Sequence, residues 1–438
     1  CDELDAYALY LIVSALEHTT GKQLYSLIKW QIVFSTLARQ ADDGGWNHGE
    51  WTDSMESHHR LHCGGIHLLL HVLEEEYDEV IRTALDKAVA YLLNCVDHTR
   101  FGVWFLHDSL EKSVEKMQQS PFPRIYSHAL GKSHSNMLVL NTHIDALIAL
   151  KRYQIITGDK RFSDLIDSAR AAASAVMNLR SAEFMYRWLF KAVYLTLLPE
   201  AEARSLPIPL RAIKRLTWKY LIPSLHYIKA CFPRLVMPGG YIDRALSLKG
   251  LAFGYQSVHV WDLIRYMRYY PDKKIEKSLA GALHFTQYGP LLRYWKEPKR
   301  RSQHALGFWA EALYHLCMRD QLPQYRVWLA EAMLDLEDIG LGQPPSLLGA
   351  NAETSPAPYR YPCPSPSEPR LRIANLSRQN FYEILAVNPT NAPLFLLWQD
   401  NHYPLMSWQT PDGRLLSDSR DLKVPARGWL LGCHKIEI

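Results

Sequence analysis

The chain has 438 residues and a formal net charge of +4, with 48% apolar and 21% charged side chains. That balance excludes a disordered chain, which would carry fewer apolar residues and more net charge. It also excludes a dedicated nucleic-acid binder, because the nearest basic block, Lys296 to Arg301, is interrupted by Glu297 and no basic face stands out.

Apolar residues recur at helical spacing from the start, in Tyr10, Val13 and Leu16 and again in Leu24, Leu27, Ile28 and Ile32. Helical pairs are expected along residues 1 to 345. The first covers Asp2 to Gln40 and breaks at Thr20-Gly21-Lys22. The second covers His58 to Val96 and breaks near Glu76-Tyr77-Asp78. The third covers Asn141 to Leu179 and breaks at Thr157-Gly158-Asp159. A fourth, less regular pair spans Ala182 to Phe232, with Pro199, Pro207 and Pro209 between its halves. The fifth runs from Tyr255 to Tyr288 and the sixth from Gln303 to Ile339, with breaks at Pro271-Asp272 and at Asp320 to Pro323. Each hairpin buries its apolar face only against its neighbours, so the pattern predicts a closed (α/α)6 toroid with inner helices around a funnel. No apolar run reaches the length needed to cross a bilayer.

Prolines crowd the segment from Pro344 to Pro369, which predicts a linker over 346–369. From Arg370 short alternating runs, and the turn Pro411-Asp412-Gly413-Arg414, predict a small antiparallel β domain of four to six strands over 370–438.

The 7 cysteines are odd in number and contain no Cys-x-x-Cys, so they are expected to be reduced thiols, which points to a reducing, cytoplasmic compartment. Cys1 leaves a lipidated or secreted form open, although the immediate helical pattern favours a simple chain boundary. His58, His59, His62, His67 and His71 could suggest zinc, yet no His-Glu-x-x-His or cysteine pair accompanies them. No metal and no cofactor is expected.

The densest polar stretch, Gly44 to His62, sits in a long loop before the second inner helix, where Asp53 or Ser54 is expected to cap. It offers Trp46 and Trp51 for stacking on a sugar, with Glu56, His58, His59 and Arg60 beside them. Further sets follow: Trp104, His107 and Asp108; Asn141, His143 and Asp145 opening the third inner helix; Tyr241 and Arg244 in a loop; Tyr255, His259 and Asp262; and His304. A ring would bring these helix starts together.

Leu140 to Asp159, LNTHIDALIALKRYQIITGD, resembles a hairpin of the α/α-toroid sugar enzymes. It is similar to the helical domain of glucuronyl C5-epimerases and to the hairpins of N-acylglucosamine 2-epimerase and cellobiose 2-epimerase. The order of helices followed by β structure resembles the toroid polysaccharide lyases. Gln40 to Trp46 also fits one copy of the QxxxGxW pattern of triterpene cyclases, without their acidic motif.

The resemblance implies a carbohydrate substrate, and the polar sets suit a uronate. Neutralising its carboxylate acidifies the C5 proton. His59, His143 and His259 are candidate acids or bases, Tyr241 and Tyr255 candidate proton partners, and Arg60 and Arg244 candidate carboxylate clamps. The remaining residues would read hydroxyls. Two alternatives stand beside this epimerase or lyase. One is a glycoside hydrolase using a pair among Glu50, Asp53, Glu56, Asp108, Asp145 and Asp262. The other is a non-catalytic helical scaffold.

Overall fold

A computed structural model describes residues 2–49, 52–53, 55–121, 126–348, 365–378, 381–398, 406–416 and 422–435. The protein is mainly helical and ends in an antiparallel sheet. It divides into two compact units, Cys1–Tyr7 with Val33–Ala305, and Ala8–Ile32 with Leu306–Ile438. Among the described residues no helix is long and apolar enough to cross a membrane.

The helices in chain order are α1 (Glu3–Thr20), α2 (Gln23–Ala38), α3 (His59–Glu75), α4 (Glu79–Leu93), α5 (Val114–Gln118), α6 (Leu140–Thr157), α7 (Ser163–Met177) and α8 (Glu183–Leu197). They continue as α9 (Glu200–Ser205), α10 (Ile208–Leu216), α11 (Ile222–Cys231), α12 (Tyr255–Tyr269), α13 (Lys273–Tyr288), α14 (Leu291–Lys296), α15 (His304–Arg319) and α16 (Pro323–Asp338). Local chemistry sets the breaks. Asp78 accepts from the Val80 and Ile81 amides at 2.8 and 3.0 Å, and Asp272 does the same for Lys274 and Ile275. Each such N-cap is worth about 1 kcal/mol. Gly158 ends α6 at φ 71°, a left-handed position that suits glycine.

In the first unit α6 packs against both α3 and α12, and each of these three helices also packs against the second helix of its own hairpin, α4, α7 or α13. The fourth pair is irregular, as expected, with the prolines between its halves. The prolines divide it into α8, α9 and α10, and a π turn over Thr217–Leu221 joins α10 to α11. It supplies no helix between α6 and α12. The connection after α4 forms a hairpin of β1 (Val96–Thr99) and β2 (Gly102–Phe105). The second pair begins at His58 as expected, but His58, rather than Asp53, stands at the N-cap. Ser54 lies outside the described residues. Val139 caps α6, which places Asn141 inside its first turn.

In the second unit the strands are β3 (Arg372–Asn375), β4 (Phe381–Asn388), β5 (Leu394–Phe395), β6 (Ser407–Gln409), β7 (Leu415–Leu416), β8 (Lys423–Val424) and β9 (Gly428–Lys435). They form a five-stranded antiparallel sheet in the order β3-β4-β9-β6-β7 and a two-stranded sheet, β5-β8. Tyr382, Ile384, Ala386, Trp408 and Leu430 build its core. Arg326 of α16 holds Glu383 of β4 at 2.8 and 3.2 Å, both buried, and the Tyr314 hydroxyl donates to the Asn375 carbonyl at 2.9 Å. Most of the proline-rich segment lies outside the described residues. The described cysteines Cys63, Cys95, Cys231, Cys317 and Cys433 are free thiols.

Candidate functional site

The starts of α3, α6 and α12 are tied to one another by the chain segments that precede them. Residues before α3 run antiparallel to those after β2: His58 bridges Asp108, the His59 amide donates to the His107 carbonyl at 2.8 Å, and the Ser109 amide donates to Ser57 at 2.9 Å. Val139 bridges Ala245, and the Leu140 amide donates to the Arg244 carbonyl at 3.0 Å. The Gln256 side chain at the start of α12 accepts from the Ile242 amide at 2.8 Å and donates to the Gly240 carbonyl at 3.2 Å. Met55 and Leu138, just ahead of α3 and α6, take left-handed backbone (φ 50° and 56°), which costs free energy in a non-glycine residue.

The loop carrying Arg244 is anchored from below. Buried Lys229 donates to Asp243 at 2.6 Å and to the Ala245 carbonyl at 2.8 Å. Gly240 has φ 105°, and a Cβ there would meet the Gly281 carbonyl oxygen at 2.0 Å. A Gly240→Ala variant therefore combines backbone strain with a backbone clash and is expected to lose more than about 1–3 kcal/mol. Gly239→Ala, with nothing closer than Phe285 at 3.9 Å, carries the strain alone. Urea unfolding of the two variants side by side checks the order; equal losses would refute the clash.

This scaffold brings together His58, His107, Thr142, Arg244 and Tyr255. The rings of His58 and His107 meet edge to face at 4.2 Å. The Arg244 guanidinium donates to His107 Nε2 at 3.0 Å and lies over the Tyr255 ring at 4.2 Å. Because arginine only donates, His107 Nε2 is the acceptor, and Nδ1 donates to Thr142 Oγ1 at 2.6 Å. Burial, with Arg244 and His59 adding repulsion, holds His58 well below its ordinary value, and burial with His58 and Arg244 does the same to His107. Both are neutral at physiological pH. Arg244 and Tyr255 are half-buried, so solvent reaches the edge of the cluster.

Behind it stand His59 and His259. Each directs Nδ1–H to a backbone carbonyl, Leu106 at 2.8 Å and Ile242 at 3.2 Å, which leaves Nε2 as an acceptor. Among the described residues neither Nε2 has a partner, nor does Asn141 Oδ1. Burial lowers both histidines to about 3. No group of three or more His, Cys, Asp or Glu among the described residues is arranged to hold a metal ion.

Other expected site residues lie in different surroundings. Arg60, Asp145 and Asp262 belong to a buried ion network. Arg60 reaches Asp262 through both nitrogens, at 3.1 and 2.9 Å, and Asp145 at 3.3 Å. Arg265 pairs with Asp145 at 2.8 Å and Asp262 at 3.3 Å. His67 donates to Asp145 at 3.1 Å and accepts from Arg152 at 3.0 Å, and Arg152 reaches Glu74 at 3.1 Å. Burial opposes the Asp145 charge, but Arg60, His67 and Arg265 hold its carboxyl well below the usual range.

His143 is committed on both nitrogens, accepting from the Phe105 amide and donating to the Ala169 carbonyl, each at 3.1 Å. Trp104 stacks flat on it at 3.8 Å and is fully buried. Trp46 is 1% exposed, donates to the Thr36 carbonyl at 3.0 Å and packs on His62, so it has no open face for a sugar. Tyr241 lies within Phe190, Phe253 and Phe285, with burial and then Asp243 raising its hydroxyl. Glu56 is buried and accepts from the Thr52 hydroxyl at 2.6 Å, and Asp108 accepts from the Leu110 amide at 2.8 Å. Asp53 and His304 are exposed, the latter at the start of α15. Trp51 and Glu50 lie outside the described residues.

Thr142, Arg152 and Arg265 were not singled out from the sequence as site residues, and His67 was weighed only as a zinc ligand. The legible signal was polar residues two turns apart in otherwise apolar helices, Arg60–His67–Glu74 and Asp145–Arg152. No protein-family model matches the chain, and no curated protein matches it.

Proposed function

We propose that this protein is a carbohydrate-active enzyme that removes the C5 proton of a uronate in an acidic polysaccharide or oligosaccharide, as an epimerase or a lyase. The observation that carries the reading is the cluster of His58, His107, Arg244 and Tyr255 where α3, α6 and α12 begin. We place the hairpins in an α/α toroid, a reading that rests on the packing of α6 against both α3 and α12.

In this mechanism Arg244 clamps the uronate carboxylate, held in place by His107 and the Tyr255 ring. Arg244 is the charged group that most depresses His58. A carboxylate seated on Arg244 offsets that repulsion, so substrate binding itself makes His58 a better base. His58 accepts the C5 proton, and the C–H electron pair moves into the neutralised carboxylate. Tyr255 then delivers a proton, either to the opposite face of C5, giving the epimer, or to the C4 oxygen as that bond breaks, giving an unsaturated uronate. The hydrolase alternative is weakened because Asp145 and Asp262 are closed inside ion pairs with Arg60 and Arg265.

The test incubates the purified chain with uronate-containing polysaccharides in deuterated buffer and follows both ultraviolet absorbance and C5 deuterium. Absorbance growth identifies a lyase and deuterium uptake alone an epimerase. Arg244→Met is expected to lower kcat by about 10²–10³-fold and Tyr255→Phe by about 10²–10⁴-fold. Silence in both readouts across the panel refutes the proposal.

A further inference from the structure

The broken fourth segment has a surface that the proposed catalysis does not use. None of the residues of α10 is buried. Ile208 is 74% exposed, Leu216 57% and Ile213 43%, and beyond them Trp218 and Tyr220 are exposed as well. On a helical wheel Pro209, Ile213, Leu216 and, as the turn continues, Tyr220 share one side, whereas Arg211, Lys214, Arg215 and Trp218 share the other. Globular proteins turn the apolar side of such a helix inward. Here it faces solvent.

The basic side borders a cavity of about 260 Å³ lined by Thr196, Arg211, Lys214, Arg215, Trp218 and Arg300. Among the described residues Arg211, Lys214, Arg215 and Lys219 form no salt bridge. No aspartate or glutamate occurs between Glu202 and Asp243 in the sequence. The basic cations next to them do find acids: Arg204 pairs with Glu200, Arg293 with Glu202 and Arg300 with Glu297. The unpaired positive charge is therefore concentrated on α10 and the turn after it. Helix α8, against which α10 packs, leaves Phe184 and Trp188 exposed, with Lys191 over the Trp188 ring at 4.3 Å.

We propose that α10 and the Thr217–Leu221 turn form an interfacial helix that seats the protein on an anionic membrane surface. An exposed apolar stripe on one side of a helix, with lysines and arginines that form no salt bridge on the other, is the arrangement that enters the headgroup layer, with apolar side chains at the acyl boundary and cations among the phosphates. Trp218 and Tyr220 supply the amphipathic rings that favour that depth. The cavity beside Arg211, Lys214 and Arg215 receives a headgroup phosphate. Charge complementarity selects the lipid surface as occupant, because four cations between Arg211 and Lys219 with no acid among them match an extended field of anions beside an apolar layer.

The test is flotation of the full chain with vesicles of phosphatidylcholine alone and with vesicles containing about a third phosphatidylglycerol. Binding is expected to the anionic vesicles only and to weaken with salt. Replacing Arg211, Lys214 and Arg215 together by Glu is expected to lower partitioning by roughly a hundredfold or more. The pair Ile213→Glu with Leu216→Glu is expected to abolish it. All these side chains reach solvent, so unchanged circular dichroism verifies that the variants fold. Equal binding to both vesicle types, or variants that bind like the parent, overturns the proposal. So does sedimentation showing lipid-free self-association that Ile213→Glu abolishes, which would assign the face to a second copy. Binding of inorganic phosphate without any vesicle binding also overturns it and reduces the cavity to a small-anion pocket.

Discussion

Asp145→Asn is expected to destabilise the first unit by about 3–5 kcal/mol, although the side chain keeps its shape. Asp145 accepts from Arg60, Arg265 and His67 at 3.3, 2.8 and 3.1 Å, and it is 1% exposed. With both carboxylates ionised, Asp145 and Asp262 balance the charges of Arg60 and Arg265. Neutralising one leaves two guanidinium groups on a single buried carboxylate, with Trp261 packed over both, at 5.5 Å from Arg60 and 4.7 Å from Arg265. The loss comes from the stranded charge more than from the missing hydrogen bonds. The double variant Asp145→Asn with Arg265→Met restores the balance and is expected to recover part of the loss, a coupling that a double-mutant cycle reads directly. Urea unfolding monitored by circular dichroism checks this. A single variant as stable as the parent, or a double variant worse than the sum of the two singles, refutes the charge-balance argument.

The second large effect is acid lability. Burial lowers His59, His143 and His259 to about 3 and His62 to about 4, and holds His58 and His107 well below the ordinary 6.5. In the unfolded chain these rings protonate near 6.5, so between there and about 3 the unfolded state binds more protons. The stability they contribute is complete above pH 7 and is lost as pH falls through 6.5. Burial, and then Asp108, pushes Glu111 up to about 8, and burial raises Asp262 to about 6. These two carboxyls act in the opposite sense, since the folded state holds their protons. The histidines outnumber them, so unfolding takes up several protons, each worth about 1.4 kcal/mol per pH unit. A reserve of about 5–15 kcal/mol is exhausted within one to three such units. A steep transition between about pH 5.5 and 3.5 is therefore expected in a pH titration of ellipticity. A fold intact below about pH 3.5 contradicts it.

The helices were legible because each break carried its own chemistry. Asp78 and Asp272 cap, and Gly158 adopts the left-handed turn, so periodicity and punctuation agreed. The fourth segment was legible as an irregular pair with prolines between its halves, and α8 does pack against α10, but its apolar spacing did not reveal that one side of α10 stays exposed. Spacing shows that a side of a helix is apolar and does not show whether anything covers it. The site was legible as residue types: His58, His107, Arg244 and Tyr255 all stood out. What separated them from Arg60, Asp145 and Asp262 was the identity of each partner, which lies far away in the chain. Arg60 finds Asp262 and His107 finds Arg244 only once three hairpins have docked. His143 and Trp104 were drawn into the candidate set for the same reason, because a buried histidine that satisfies two backbone groups has the same local sequence as an exposed one.

The pairing of residues 57–59 with 107–109, and of Val139 with Ala245, has a kinetic consequence. Each hairpin closes through local contacts, but the cluster of His58, His107, Arg244 and Tyr255 requires chain segments that are distant in sequence to meet. Loop closure on that scale follows the formation of local structure. Helix content therefore recovers on refolding before the cluster exists, and a chain interrupted in a connection between two hairpins keeps each hairpin while losing the link that joins them.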